Sequence, residues 1–240
     1  MEQPEGFQGL ENEGFIRSES EAALYVKKLD DEKQLIVSLY IDDLFVKGDN
    51  EVFIEQFKQR MKSMFEMSNL GDMKYLIGMK IHQSDAGIFI SQRKYALEVL
   101  KKFKIENCKP VATPLVLNEK LSKSDNSEKA DAFVYGSLIG NLLYFSATRP
   151  DIMYDASLLS RFMQAPSQTH YGTNKRVMRY IKGIFNYGIW YLKNDSCKLE
   201  SYANNDWVGN VDDCKNASGF VFSFGSGTFA WNSKKQDMVA

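Results

Sequence analysis

Two adjacent carboxylates, Asp42 and Asp43, interrupt an otherwise apolar stretch of this 240-residue chain. Residues 35–41 before them and 44–46 after them are apolar and rich in β-branched side chains, which is typical of buried strands. Carboxylate oxygens are the ligands that Mg²⁺ prefers, and nucleotidyl transfer uses two such ions held by about three acids. The pair could supply two of these acids. An ordinary turn, where Asp is favoured because it tolerates tight bends, is the alternative.

The elements that must position this pair follow from the periodicity of the apolar residues. The runs on either side of the pair predict a β-hairpin with the acids at its tip, because only a tight bend brings neighbouring strand side chains to one ion. The remaining pattern predicts a helix over 51–66, strands at 75–81 and 87–90, and a helix that Ser91 could cap. It further predicts helices near 138–143, 150–163 and 169–184, and strands from 198 onward.

Composition and charge exclude several classes of protein. The chain is 44% hydrophobic and 25% charged, which is the profile of a folded protein. A net charge of −1 requires any nucleic-acid binding to use a local basic patch. Cys108, Cys197 and Cys214 are too far apart for a disulfide framework and predict an intracellular location. No apolar run reaches the ~18 residues of a membrane span, and the oligomeric state stays open.

One predicted helix carries a basic face. Lys175, Arg179 and Lys182 lie at positions i, i+4 and i+7, so they share one side of the helix over 169–184. This face could contact the phosphate backbone of a nucleic-acid duplex. The alternative is a solvated face of an amphipathic helix, and the sequence leaves both interpretations open.

Residues Tyr40–Leu44, with the sequence YIDDL, resemble the palm hairpin motif Y-[VI]-D-D-L of the reverse transcriptase region of copia-type LTR retrotransposon polyproteins. Further blocks that are similar to this family follow in the same order along nearly the whole chain. They lie at 65–71, 75–79, 87–95, 135–144, 147–152, 175–183, 218–222 and 231–236.

The resemblance implies an α+β fold: an incomplete polymerase palm, a helical thumb and connection, and a truncated ribonuclease H-like β-sheet. It predicts a partial palm and primer-grip region at 1–115, a linker at 116–132, a thumb and connection at 133–197, and the ribonuclease H-like segment at 198–240. It further implies an RNA-directed DNA polymerase that acts on an RNA or DNA primer-template. Asp42 and Asp43 would be its catalytic residues and Mg²⁺ ligands.

Three departures from the family pattern bear on activity. The third metal-binding Asp of the family falls upstream of Met1, and a segment that includes most of the fingers is expected to be deleted between residues 7 and 10. Asn204 stands where the family's ribonuclease H motif has an Asp, and a neutral amide replaces a charged Mg²⁺ ligand poorly. We therefore expect weak Mg²⁺ binding and no polymerase activity from this chain alone.

Two alternatives to an inactive polymerase fragment remain at this point. One is a non-catalytic nucleic-acid-binding remnant that keeps the basic helix over 169–184 and a similar one that carries Arg93, Lys94, Lys101, Lys102 and Lys104. The other is a translated relic with no function, which predicts poor solubility because the sheet at 216–231 would leave an unpaired apolar edge.

Overall fold

The computed structural model describes residues 9–29, 33–41, 43–117, 119–193, 198–205, 212 and 215–236. The chain divides into two compact units, Met1–Met73 and Lys74–Ala240. Each unit has a hydrophobic core of its own.

The first unit is an antiparallel meander with one long helix. A short helix α1 (Gly9–Asn12) precedes the strands β1 (Ile16–Arg17), β2 (Leu24–Lys28), β3 (Gln34–Tyr40) and β4 (Asp43–Gly48), which pair in sequential order. The helix α2 (Glu51–Met64) follows, and Asn50 caps it by accepting a hydrogen bond from the Val52 N–H.

The core of the first unit lies between the sheet and α2. Leu35 and Val37 alternate inward along β3, as expected for a strand with one buried face. They share the core with Tyr25 of β2 and with Phe57 and Met61, which lie one turn apart on α2. This packing fixes the register of β3, and with it the position of the hairpin that leads into β4.

The second unit contains two antiparallel sheets. The first consists of β5 (Tyr75–Leu76), β6 (Met79–Ser84), β7 (Gly87–Ser91) and β8 (Gly188–Leu192), paired in that order. The second has β10 (Ala217–Phe224) between β9 (Leu199–Asn205) and β11 (Gly227–Lys235). The two sheets touch where the Tyr191 hydroxyl donates to the Thr228 carbonyl.

Helices supply the core of the second unit. They are α3 (Arg93–Lys102), α4 (Ala132–Phe145), α5 (Met153–Ser160) and α6 (Gln168–Gly183), and a 3₁₀ turn (Pro150–Ile152) leads into α5. Tyr135, Leu138, Ile139 and Leu142 of α4 are fully buried among side chains of the other helices. The second unit is therefore organised around α4.

The observed elements confirm the predicted mixture of helices with antiparallel sheets, while the palm, thumb and ribonuclease H assignments stay predictions. Two details differ. The predicted strand over 75–81 is interrupted at Ile77-Gly78, where both residues have positive φ. Ser91 does not cap α3, because it is the buried last residue of β7 and Gln92 stands at the N-cap.

The boundary between the two units lies between Met73 and Lys74, inside the region 1–115, whose assignment to a partial palm and primer grip stays a prediction. The hairpin β6–β7 belongs to the second unit because β7 pairs with β8 along its whole length. The segment predicted as a linker packs into the same unit, with Leu121 buried in its core. Glu128 and Ala130 form backbone hydrogen bonds with the residues around Ser167 at the start of α6.

Candidate functional site

The tip of the β3–β4 hairpin is a tight bend, as the paired acids predicted. Tyr40 pairs with Asp43, so two residues close the turn. Ile41 has a φ of 52°, a left-handed conformation that is rare for a β-branched residue. Asp43 is exposed at the first position of β4, and among the described residues it has no ion-pair partner. Asp42 lies outside the described residues.

The described residues do not by themselves complete a magnesium site. In the part of the chain that the structure describes, no three His, Cys, Asp or Glu side chains lie close enough to hold a metal ion. Asp49, at the far end of β4, accepts a hydrogen bond from the Gln34 backbone N–H instead. The hairpin therefore offers Asp43 alone among its described groups, and the roles of Asp42 and Asp43 stay predictions.

The basic face of α6 exists, but two of its three side chains hold the loop after α3. Arg179 Nε donates to the Lys109 carbonyl at 2.7 Å, and Lys182 Nζ donates to the Cys108 carbonyl at 2.5 Å. Lys175 is exposed, with its Nζ 4.3 Å from the centre of the Tyr171 ring. Stabilising this loop is a structural role that the spacing alone did not indicate.

The surface formed by α3 and α6 is strongly basic all the same. Helix α6 has four Lys or Arg residues and no acidic residue, and α3 adds four more with Glu98 as its one acid. The two helices lie in contact. In a chain of net charge −1, this surface is a local concentration of positive charge of the kind that attracts phosphates.

Asn204 lies on β9, opposite Gly219 of β10. It shares a sheet face with Tyr202, because side chains two positions apart on a strand point the same way. Both residues line a cavity that the second unit forms between this sheet and α5. Asp206, the next acid along the chain, lies outside the described residues.

An ion pair that sequence reasoning missed lies in the turn before α5, between the buried Arg149 and the exposed Asp151, and hydrogen bonds link it to the end of α6. Arg149 is 5% exposed and forms two hydrogen bonds with Asp151, at 2.8 and 2.6 Å. The Tyr180 hydroxyl also donates to Asp151, and Arg149 donates to the Ile184 carbonyl. Burial raises the pKa of Asp151, but its hydrogen bonds with Arg149 and the Arg149 charge outweigh burial and hold that pKa below its usual range.

One turn further along, Asp155 is a buried carboxyl with an unpartnered oxygen. It is 3% exposed, and its Oδ2 has no hydrogen-bond partner. Burial, with the nearby Asp151 charge, raises the pKa of Asp155 to about 7. The burial of Asp155 could have been predicted from its position in the helix, since it precedes the inward-facing Ala156 and lies one turn before the inward-facing Leu159.

Ser167, His170 and Asp125 approach one another but do not form a catalytic triad. The Ser167 hydroxyl donates to Asp125 at 2.5 Å, while His170 Nδ1 accepts the Ser167 backbone N–H. That nitrogen therefore cannot also take the hydroxyl proton, as a general base would. The arrangement is a capping box for α6, and burial lowers the pKa of His170 although the Asp125 charge opposes this.

The family described as reverse transcriptase (RNA-dependent DNA polymerase) matches residues 7–117. The chain belongs to the reverse transcriptase family of copia-type retrotransposon polyproteins.

Individual relatives support this membership. The chain is 32% identical, over 94% of its length, to a retrovirus-related Pol polyprotein from transposon RE2 of Arabidopsis thaliana, of which it covers 16%. It is 32% identical, over 84% of its length, to an uncharacterised mitochondrial protein of the same plant, of which it covers 84%. A putative transposon Ty5-1 protein of Saccharomyces cerevisiae is 30% identical over 94% of the chain, which covers 74% of that protein.

The chain thus spans about a sixth of the length of the Pol polyproteins that it matches. No solved structure matches it at a significant level. None of the helices in the described ranges is both long enough and apolar enough to cross a lipid bilayer.

Proposed function

We infer that this chain is the catalytic-hairpin portion of a reverse transcriptase, an RNA-directed DNA polymerase by descent, and that its 240 residues do not polymerise on their own. The observation that supports this is the β3–β4 hairpin, whose two-residue bend follows Tyr40 and ends at the exposed Asp43. It falls within the range that matches the reverse transcriptase family.

The inactivity follows from the number of acids that can meet at the hairpin. Reverse transcriptases generally use divalent metals, and nucleotidyl transfer needs about three carboxylates around two ions. Asp42 and Asp43 supply two, and like charges this close repel each other unless a metal or a further cation neutralises them. The pair alone would hold Mg²⁺ weakly, because Mg²⁺ dehydrates reluctantly and needs substrate phosphates or further acids to complete its shell.

A primer-extension assay tests this proposal. The purified chain is incubated with an RNA template, a DNA primer, deoxynucleoside triphosphates, and Mg²⁺ or Mn²⁺, and we expect no extension. Asp42→Asn and Asp43→Asn are the matched variants, since each removes one carboxylate with little change of shape. Extension by the unaltered chain that both variants abolish would contradict the inactivity, though it would support the assignment of the hairpin.

Nucleic-acid binding without catalysis is a second function, favoured by the basic surface of α3 and α6. The expected ligand is a duplex recognised through its phosphates, so affinity should fall steeply as salt rises. Lys175→Gln is the most informative variant, because Lys175 is exposed. Arg179 and Lys182 also donate hydrogen bonds to the loop at 108–109, so their replacement would alter the structure as well as the charge.

The matched control is Lys62→Gln on α2, which removes the same charge from an exposed helical position of the first unit. A fluorescence-anisotropy titration with a labelled primer-template should show weaker binding and a shallower salt dependence for Lys175→Gln only. Equal effects of both variants, or no binding at low salt, would exclude this surface. The ribonuclease H assignment and the intracellular location stay predictions.

A further inference from the structure

A cavity of about 430 Å³ lies in the second unit, between the start of α5 and one face of the β9–β10–β11 sheet. Its volume is within the range of about 300–1,000 Å³ that is typical of small-molecule sites. The residues that the argument uses are Pro150, Met153 and Tyr154 on the helical side, and Tyr202, Asn204 and Trp231 on the sheet.

The strand register explains why the sheet leaves this space open. Tyr202 of β9 pairs with Val221, and Asn204 pairs with Gly219, so all four lie on the same face. Gly219 has no side chain to fill the floor of the cavity. Trp231 is held in the wall because its indole N–H donates to the Ser146 carbonyl at 2.8 Å. The cavity is therefore bounded by residues whose positions are fixed by pairing and by this hydrogen bond.

The chemistry of the lining selects a neutral and planar ligand. None of the described residues that line the cavity is charged, which disfavours a phosphate group or a metal ion. The rings of Tyr154, Tyr202 and Trp231 offer surfaces for stacking. Asn204 offers a donor and an acceptor side by side, and its amide has no hydrogen-bond partner among the described residues.

We propose that this cavity binds a single nucleobase, as a nucleoside or as one unstacked base of a strand, which stacks on the aromatic lining while the Asn204 amide pairs with its edge. An amide pairs in this bidentate way with the donor and acceptor of a base edge, as Asn does with adenine. Base stacking on aromatic side chains supplies the remaining attraction and is tolerant of sequence. The inference rests on the cavity residues and does not require polymerase activity.

The test uses the full chain with adenosine, guanosine, cytidine and uridine as probes, followed by calorimetry and by saturation-transfer NMR. We expect binding of at least one nucleoside with an affinity that does not change with salt, because no phosphate contact is involved. Asn204→Leu should weaken binding about tenfold or more, since it removes both hydrogen bonds.

Ser201→Leu is the matched control for Asn204→Leu, since it changes the same strand on the opposite face and should leave affinity unchanged. Tyr202→Ala gives a further variant at an exposed position that need not disturb the core. Two results would each overturn the proposal: no nucleoside binding, or binding that Asn204→Leu and Tyr202→Ala both leave intact. Loss of primer extension or of duplex binding has no bearing on it.

Discussion

A β-branched residue at the tip of the β3–β4 hairpin places a conformational cost next to the two candidate catalytic acids. Ile41 combines a φ of 52° with a side chain that is 66% exposed, so it gains little burial in return. For L-residues the left-handed conformation costs about 1–2 kcal/mol, and strained residues of this kind often occur at functional sites. The bend therefore carries a conformational cost beside the exposed Asp43, one of the two candidate catalytic acids.

We expect Ile41→Gly to stabilise the first unit by about 0.5–1 kcal/mol. Glycine adopts a positive φ without the cost that isoleucine incurs, but part of this gain is offset because glycine increases the conformational entropy of the unfolded state. Ile16→Gly is the control, because Ile16 is equally exposed, at 67%, but its φ is not positive. That variant should destabilise, since glycine weakens a strand. Thermal melts followed by circular dichroism compare the two, and equal destabilisation by both would show that Ile41 is not strained.

Asp155 predicts a pH dependence of stability in the second unit. Its pKa is raised to about 7 in the folded protein from an ordinary value near 3.8, so the folded state holds a proton that the unfolded state releases. Its contribution to stability is therefore fully present below about pH 4 and is lost as the pH rises through about 7.

Asp155→Asn should remove this loss, because an amide resembles the protonated carboxyl in shape and stays neutral. Relative to the unaltered chain, we expect a gain on the order of 4 kcal/mol at pH 8 and about 1 kcal/mol at pH 4.5, since each pKa unit corresponds to ~1.4 kcal/mol. Asp151→Asn is the contrasting variant: it should destabilise at pH 8 by leaving the buried Arg149 unpaired. Urea denaturation at both pH values measures this, and a gain that is equal at the two pH values would contradict the prediction.

Among the elements, the pairing of β8 with β7 requires the two strand backbones to come very close at two glycines, Gly87 and Gly188. A Cβ atom on Gly188 would lie 2.1 Å from the Ile90 carbonyl oxygen, and one on Gly87 would lie 2.2 Å from that of Tyr191. Only residues without a side chain allow β7 and β8 to approach in this register. The pairing of these strands is what joins the β6–β7 hairpin to the second unit.

We expect Gly188→Ala to destabilise the second unit by several kcal/mol or to prevent the pairing of β8, because the clash involves backbone and cannot be relieved by a rotamer change. Gly172→Ala on α6 is the matched control: no atom lies within 4 Å of a Cβ there, and alanine should add about 1 kcal/mol of helix propensity. Amide hydrogen exchange across residues 87–91 reports the pairing directly. Full protection of these amides in Gly188→Ala would show that the close approach of β7 and β8 does not exclude a side chain at position 188.

Sequence periodicity predicted the hairpin around Asp43, the helix α2 and the helices α5 and α6, because each of these has a stripe or run of apolar residues that faces a core. It did not predict β8, since a strand of five residues after a helix carries little periodic signal. Nor could it show that Asp125 and Leu121 pack into the second unit, because a polar segment such as 116–132 resembles a linker until its partners are known. The loop-holding role of Arg179 and Lys182 depends on a contact about 70 residues distant, which no local pattern contains.

At the scale of the whole molecule, the two hydrophobic cores predict two unfolding transitions rather than one. The first unit contains no tryptophan, because the first of the three in the sequence is Trp190, whereas both units contribute to the far-ultraviolet circular dichroism signal. Tryptophan fluorescence should therefore follow the second unit alone during urea denaturation, and its transition should not coincide with that of circular dichroism.

A variant in each hydrophobic core can show which unit unfolds in which transition. Met61→Ala and Leu142→Ala each remove a buried side chain, from the first and second cores respectively, at a cost of about 2–5 kcal/mol. We expect Leu142→Ala to shift the fluorescence transition to lower urea and Met61→Ala to leave it in place while shifting the other component of the circular dichroism curve. Coincident curves that both variants shift together would mean that the cores unfold as one. Cooperative unfolding of either core would also contradict the alternative of a non-functional relic, because a chain under no constraint to fold should not retain a packed and specific core.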